Sequence, residues 1–317
     1  MMEIMYNLHT VDVIIPVFNG ERYIMRAVET ASYQTFPPKS IIVVDDGSTD
    51  NTASLLAASS FGIPLEVIRQ ENRGLSSARN TGIKHSTSKF VAFLDADDEW
   101  YPTKLEEQLK VFMVADSERN LGVVYCNYRE IDAHGNVLVG KPLPELRGKI
   151  FTELLDGNRI SGSGSSVLAR RDCFIQAGLF DERLKACEDW DMWLRLAMFF
   201  EFDFTPNTLV KIRKHPENMQ RNETVMFMNS LVFYDKWSMH VRSNDFYKSW
   251  CLNIVYRIAE DLPSLKSLRL TKTVLSEGSK KILFRSTFGC VEAYLLLKMM
   301  PILIIMLKRA FRLKEYA

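Results

Sequence analysis

The chain has 317 residues, 47% of them hydrophobic and 25% charged, with a formal net charge of +1. This is an ordinary globular composition with enough chain for a large core, and the near-neutral balance offers no general attraction to nucleic acid. Five cysteines without CxxC spacing argue against a zinc site or disulfide framework and fit a reducing cytoplasm.

Met1 to Thr10 lacks a charged segment followed by an apolar core, so no secretory signal is expected. From Val11 the pattern alternates strand and helix. Val11–Phe18 reads as a strand, and Asn19-Gly20 as the cap of a helix carrying Ile24, Ala27, Val28 and Ala31 at helical spacing. Ile41–Val44 is a run of four β-branched residues, the pattern of a strand buried on both faces. It ends abruptly in Asp45-Asp46-Gly47-Ser48-Thr49-Asp50, with the next helix entered through Ser48, Thr49 or Asp50. Leu65–Ile68 is a short strand, and Gly74 opens a helix through Ile83. Phe90–Leu94 is a strand running into Asp95-Ala96-Asp97-Asp98. Pro102 takes the first-turn position before Leu105, Leu109 and Phe112, and Gly122–Tyr125 is the next strand. This alternation predicts an α/β fold with a mostly parallel open sheet and helices on both faces.

The second half is more mixed. Ser161–Ser166 reads as a flexible lid or acceptor loop, followed by a strand at Val167–Ala169 and a helix capped by Asp172 that ends at Gly178. Asp189–Phe200 is helical, Phe202–Ile212 extended, and the chain from about Asn222 mostly helix. In the helix that begins at Glu188-Asp189-Trp190-Asp191, the stripe Trp190, Trp193, Leu194 and Ala197 packs inward, and Asp191 with Arg195 reads as a surface pair.

Two apolar strands thus end in carboxylates, where open α/β sheets bind ligands. Adjacent acids are costly there unless something positive or hydrogen-bonding meets them. Asp95 and Asp97, at i and i+2, would face one point at the strand's exit. Carboxylates suit Mg2+ or Mn2+, which bind through one or two of them plus substrate phosphates. Each acid also reads as a turn or cap residue, and those in the first helical turn simply favour the macrodipole.

Pro16-Val17-Phe18-Asn19, Val44 to Asp50, Asn72-Arg73-Gly74 with Ala78-Arg79-Asn80, Asp95 to Asp98, Phe180-Asp181-Glu182 and Glu188 to Asp191 follow one another in this order. The series resembles the family 2 glycosyltransferases of GT-A fold over about residues 10–215. The resemblance implies a nucleotide-sugar donor, a UDP-sugar by family expectation, a divalent cation (Mn2+ or Mg2+), and inversion. It places Pro16, Phe18, Asn19 and Asp46 at the nucleobase, Arg79 near the base, Asp95 on the ribose and donor, Asp97 on the metal, and Asp189 as catalytic base. The stretch Lys211 to Pro216 lacks the Gln-x-x-Arg-Trp motif of processive synthases, which favours transfer of one sugar. Within it, Lys211, Arg213 and Lys214 are either diphosphate contacts or a solvated strand edge, and His215 is either a hydrogen-bonded histidine or a phosphate or metal ligand.

The expected organisation is a GT-A domain over 1–220 and a helical C-terminal extension over 221–317. Residues 278–317 carry a net charge of +6 against −5 for the rest of the chain. No stretch reaches the roughly 20 apolar residues of a spanning helix. Tyr294–Leu307, about 21 Å long as a helix and followed by Lys308, Arg309, Arg312 and Lys314, reads as an interfacial helix on an anionic membrane. A packing helix or a dimer contact is the alternative. The expected setting is the cytoplasmic face of the membrane, with a glycan or lipid-linked acceptor for cell-surface glycan synthesis. A nucleotidyltransferase would also use an α/β sheet, acids and a metal, but with a Gly-rich, Lys/Arg-bearing loop after the first strand; Pro16 to Arg22 has one glycine. A non-catalytic nucleotide-sugar-binding module would tend to lose Asp97 or Asp189, and both are present.

Overall fold

The computed structural model describes residues 9–115, 119–138, 145–160, 164–216 and 218, with scattered positions between 225 and 240. The elements run β1 (Val11–Val17), α1 (Ile24–Ser32), β2 (Ser40–Asp45), α2 (Thr52–Ala57), β3 (Leu65–Arg69), α3 (Leu75–His85) and β4 (Phe90–Phe93). They continue with β5 (Glu99–Trp100), α4 (Lys104–Val114), β6 (Leu121–Ile131), α5 (Phe151–Leu155), β7 (Val167–Arg170), α6 (Arg171–Ala177), α7 (Glu188–Ala197) and β8 (Glu201–Arg213).

One eight-stranded sheet has the order β3-β2-β1-β4-β7-β6-β8-β5. β3, β2, β1 and β4 are parallel. β7 is antiparallel to β4 and β6, β8 is parallel to β6, and β5 is antiparallel to β8. The parallel half follows the strand–helix alternation of the sequence. β6 runs well past the expected Tyr125, because pairing with β8 continues to Ile131 through register shifts around Cys126, Asn127 and Tyr128. The polar Asn127, Arg129 and Glu130 hide that continuation from an apolar-run reading.

Helices cover both faces. Val11, Val13, Ile15 and Val17 of β1, with Ile41 and Val43 of β2, pack with Ile24, Ala27, Val28 and Ala31 of α1 and with Leu105 and Leu109 of α4. On the opposite face, Ile42 and Val44 pack with Ala78 of α3. α3 lies so close to the sheet that a Cβ on Gly82 would stand 2.4 Å from Ile14 Cγ2. Each buried Val or Ile contributes roughly 1.5–3 kcal/mol relative to exposure. The register that carries Asp45 and Asp46 to the strand's end is therefore strongly specified.

The loops at that end are tied to one another. Asn19 does not cap α1, which begins after Tyr23 without a side-chain cap. It adopts a left-handed conformation (φ 51°), its Oδ1 accepts from Thr49 N at 2.8 Å, and its own N–H donates to Ser48 Oγ at 2.9 Å. α2 starts at Thr52, whose N–H donates to Asp50 Oδ1 at 3.0 Å, while Ser48 N donates to Asp45 Oδ1 at 2.8 Å. Ser48 and Thr49 thus join the β1 and β2 exits, while Asp50, whose Oδ1 takes the Thr52 N–H, stands at the entry of α2 as expected.

The chain's internal contacts divide it into Met1–Asn218 and Met219–Ala317. In the second unit, positions 225–226, 229, 232–233 and 236–237 are helical; Tyr294–Leu307 lies outside the described residues. Among the described residues no helix is long and apolar enough to cross a membrane.

Candidate active site

The β1 exit supplies Pro16, buried within the strand, then Phe18, 51% exposed, and the exposed Asn19. At the β2 exit Asp46 is buried and engaged. Its Oδ1 accepts from Gln70 Nε2 (2.6 Å) and Arg73 N (3.0 Å), and its Oδ2 from Gly74 N (2.7 Å). Asp46 therefore fixes the Asn72-Arg73-Gly74 loop against the β1 and β2 ends. Gly47 (φ 81°) completes the arrangement, because a Cβ there would meet Asn72 N at 3.0 Å and strain the backbone.

Arg79 of α3 is 1% exposed and bridges two segments. Nη2 donates to Asp95 Oδ1 (2.8 Å), Nη1 donates to Glu188 Oε1 (2.9 Å), and the guanidinium lies 5.3 Å from the Phe180 ring centroid. Burial opposes its charge, but Asp95 and Glu188 outweigh that and hold the guanidinium firmly ionised. The structure thus places Arg79 beneath the β4 exit, joining it to the start of α7.

Asp95 and Asp97 do not share a strand face. β4 ends at Phe93, and a turn closed by Asp98 N donating to Asp95 O (3.0 Å) follows, in which the two carboxylates take different partners. Asp95 goes to Arg79. Asp97 Oδ2 lies 2.9 Å from His215 Nε2 and accepts from Asn218 Nδ2 at 3.1 Å. Asp98 is buried rather than a solvated cap. Its Oδ2 accepts from Ser165 Oγ (2.6 Å) and its Oδ1 from Arg213 N (3.0 Å). Burial, reinforced by Asp97 and Asp95, raises its carboxyl well above the usual range.

Ser165 also accepts from Asp95 N at 3.0 Å, and its carbonyl accepts from Trp100 Nε1 at 3.0 Å. The described part of the Gly/Ser stretch, Gly164–Ser166, is therefore buried support for the acidic turn and not an exposed lid. Residues 161–163 lie outside the described residues.

At α7, Cys187 takes a left-handed conformation (φ 61°) immediately before the acids. Glu188 turns to Arg79. Asp189 is partly exposed, with Asn158 Nδ2 at 3.4 Å from Oδ2 and Trp190 N donating to Oδ1 at 2.6 Å. Burial raises the Asp189 carboxyl, with Arg79 opposing. Burial also pushes Glu188 up to about 7, with Asp189 adding to the shift and Arg79 resisting it. One guanidinium faces three carboxylates here, and the excess negative charge favours the protonated form of Glu188. The inward stripe is as expected: Trp190, Trp193, Leu194 and Ala197 are buried. The Asp191–Arg195 pair is not on the surface. Asp191 is fully buried, Arg195 Nε bonds it at 2.9 Å, and Arg195 Nη1 donates to Ala177 O and Gly178 O. Met192, Trp193 and Leu196 bury α7 on several sides, leaving Asp191 no path to water.

The basic run is neither a solvated edge nor a set of free cations. Lys211 and Arg213 pair with Glu99 at 3.2 and 2.5 Å, Lys214 pairs with Glu130 at 3.3 Å, and Arg213 Nε donates to Asp97 O at 3.0 Å. Tyr23 lies against Arg213 (4.7 Å, guanidinium carbon to ring centroid) and His215 (5.3 Å between ring centroids).

Among the described residues no three His, Cys, Asp or Glu side chains could together hold a metal ion. Asp97 Oδ1 and Asp95 Oδ2 have no hydrogen-bond donor among the described residues, whereas Asp97 Oδ2 faces His215 and Asn218 and Asp95 Oδ1 receives Arg79. That donor set fits a hard cation completed by substrate phosphates, and does not fit one caged by protein alone. Of the residues around this site, Glu188 was read only as part of its motif, without a role of its own, and Ser165 only as part of a lid or acceptor loop. The spacing of Asn218 three residues after His215 is a turn signature that would have drawn attention to the pair.

The profile of Glycosyl transferase family 2 matches residues 12–175, just over half of the chain. An uncharacterised glycosyltransferase of Rickettsia prowazekii is 34% identical over 231 residues, covering 72% of this chain and 70% of its own length. The chain belongs to glycosyltransferase family 2. A Rickettsia conorii relative, also an uncharacterised glycosyltransferase, is 35% identical over 212 residues, 66% of this chain but only 35% of that protein. An Escherichia coli UDP-Glc:α-D-GlcNAc-diphosphoundecaprenol β-1,3-glucosyltransferase is 34% identical over 134 residues, 42% of this chain and 50% of its own. Staphylococcus aureus TarS 1–349 in complex with UDP has a similar fold, with a TM-score of 0.54 at 19% identity, covering 91% of this chain and 90% of that one.

Proposed function

We propose that this glycosyltransferase transfers one sugar from a UDP-sugar to a hydroxyl acceptor, with inversion at the anomeric carbon. The observation that carries the reading is the Asp95–Arg79–Glu188 bridge, which draws the acidic turn after β4 and the start of α7 to one place. Crystal structures of TarS with UDP and with UDP-GlcNAc, and the UDP-Glc in the E. coli relative's name, favour a uridine donor. Phe18, Asn19 and the loop held by Asp46 would frame the base, Asp95 the ribose, and Asp97 with Asp95 the Mn2+ or Mg2+ ion. When bound, that cation offsets negative charge developing on the departing diphosphate.

Asp189 does the chain's own chemistry. It takes the proton of the acceptor hydroxyl as that oxygen bonds to the anomeric carbon, while the bond to the diphosphate oxygen breaks on the opposite side. Its raised proton affinity suits a base, and its partial exposure leaves it open to an acceptor. Glu188 is held on Arg79 and serves the other side of the bridge.

The absence of a Gln-x-x-Arg-Trp motif after α7 supports single transfer. The diphosphoundecaprenol in the E. coli relative's name supports a lipid-linked acceptor. On this reading residues 1–220 are catalytic, and the 221–317 extension brings them to the cytoplasmic face of the membrane. Full-length protein should then float with anionic liposomes at low salt and a chain cut after residue 285 should not. For the reaction, release of UDP from a panel of UDP-sugars, with and without a lipid-linked acceptor, is the test. Pyrophosphate release would identify a nucleotidyltransferase, and binding without turnover a non-catalytic module.

A further inference from the structure

The loop after α5 reaches Asp189 with a side chain that the proposed chemistry leaves unused. α5 is keyed to the first turn of α7 by Trp190, whose indole Nε1 donates to Leu154 O at 2.7 Å. Ile150, Leu154 and Ile160 are buried on either side of the loop, and Gly157 N closes its turn on Leu154 O at 3.4 Å. This sets Asn158 beside Asp189, with Nδ2 3.4 Å from Asp189 Oδ2. Asn158 Oδ1 is shielded from solvent and has no hydrogen-bond partner among the described residues. The amide is therefore placed by its loop rather than by a bond to its oxygen. Reversing it would turn that oxygen on the carboxylate and leave an NH2 group unbonded in the shielded position.

The two oxygens of Asp189 differ. Oδ1 receives the Trp190 N–H at 2.6 Å, a short charge-assisted bond that draws on its basicity. Oδ2 has the longer contact to Asn158 and keeps capacity for a hydroxyl. From this geometry we infer that Asn158 is a positioning residue for Asp189, holding the carboxylate so that Oδ2 is the oxygen that receives the acceptor's proton. The inference rests on the reading of Asp189 as the base. Asn158 itself carries no proton through the reaction. A neutral donor orients the carboxylate without stripping its proton affinity, as a cation at the same place would. The titratable groups around Asp189 are Arg79 from α3, Asp95 from the turn after β4, and Glu188 and the Cys187 thiol at the start of α7. Burial raises the Asp189 carboxyl and Asp95 adds to the rise, while Arg79, the Trp190 N–H and Asn158 oppose it.

The test measures UDP release from UDP-Glc and UDP-GlcNAc across pH, UDP affinity by calorimetry with Mn2+ present, and melting temperature. Asn158→Ala should lower kcat about tenfold, with KM for the UDP-sugar and the affinity for UDP unchanged. The acidic limb of its pH profile should move to higher pH, because a donor that favours the ionised Asp189 has been removed. Asn158→Asp keeps the shape of the side chain but turns a carboxylate on Asp189; it should lose more activity and move the limb further. Thr152→Ala, at an exposed position of α5, should match the wild type in every measurement. A role in shape alone makes Asn158→Asp milder than Asn158→Ala, and that order overturns the inference. Weakened UDP binding in an Asn158 variant of unchanged melting temperature would make Asn158 a donor contact, which also overturns it. If Asn158→Ala melts below the assay temperature, Asn158→Ser decides on the same criteria. Full turnover by Asp189→Asn overturns the base reading and this inference with it. An inactive Asp189→Asn beside Asn158 variants of wild-type rate and pH profile overturns this inference alone.

Discussion

Arg79 meets Asp95 at 2.8 Å from a position 1% exposed, whereas the Asp95 side chain is 21% exposed. The pair runs from the core towards the surface. Its buried end is completed by Glu188, and Arg79 Nε has no hydrogen-bond partner among the described residues.

Removing the cation should therefore leave buried negative charge without compensation. Arg79→Met is expected to destabilise the fold by about 3–5 kcal/mol in urea denaturation at pH 8. Adding Glu188→Gln should recover part of that loss. A wild-type unfolding midpoint for Arg79→Met alone would show that the bridge contributes nothing.

Asp189→Asn should keep UDP binding and lose transfer by about two orders of magnitude or more. The acidic limb of the wild-type pH profile should lie above the ordinary aspartate range, because Asp189 must be deprotonated to act and its carboxyl is raised. If transfer survives in Asp189→Asn and is lost in Glu188→Gln, the base is Glu188.

Stability should also follow the Glu188 proton. Its carboxyl rises from an ordinary 4.5 to about 7 on folding, so the folded state binds more protons between those values. The Glu188 contribution to stability is then fully present below about 4.5 and is lost as pH rises through 7; the raised Asp189 acts in the same sense. Urea midpoints measured from pH 5 to pH 8 should fall in the wild type and flatten in Glu188→Gln. Parallel curves would assign the effect elsewhere.

Chelation with EDTA should abolish transfer, and Mn2+ or Mg2+ should restore it. Asp97→Ala should not respond to either ion. Full transfer by a metal-stripped Asp97→Ala variant would rule out a cation at this turn.

The parts of this architecture legible in the sequence are those written in local periodicity. Ile41–Val44 announces a strand buried on both faces, and Trp190, Trp193, Leu194 and Ala197 announce the inner face of α7. The different partners of Asp95 and Asp97 were hidden because a turn, not a strand, follows Phe93. Burial of Asp191 and of Ser165 depends on what packs around them, which neither an acidic first turn nor a Gly/Ser run reveals. The Asp97–His215 and Asp97–Asn218 contacts span 118 and 121 positions, beyond any local pattern.

That separation bears on the chain as it is made. β1 to β4 can pair once about the first 95 residues are available, but both side chains on Asp97 Oδ2 come from the far end of β8. Domains generally fold from the N-terminus during synthesis. A nascent chain arrested at residue 200 would hold Asp46 and Arg79 on a paired sheet yet lack the grip on Asp97. The turn at Asp97 therefore gains its last contacts only after Asn218 has emerged, and truncated translation products leave them unmade.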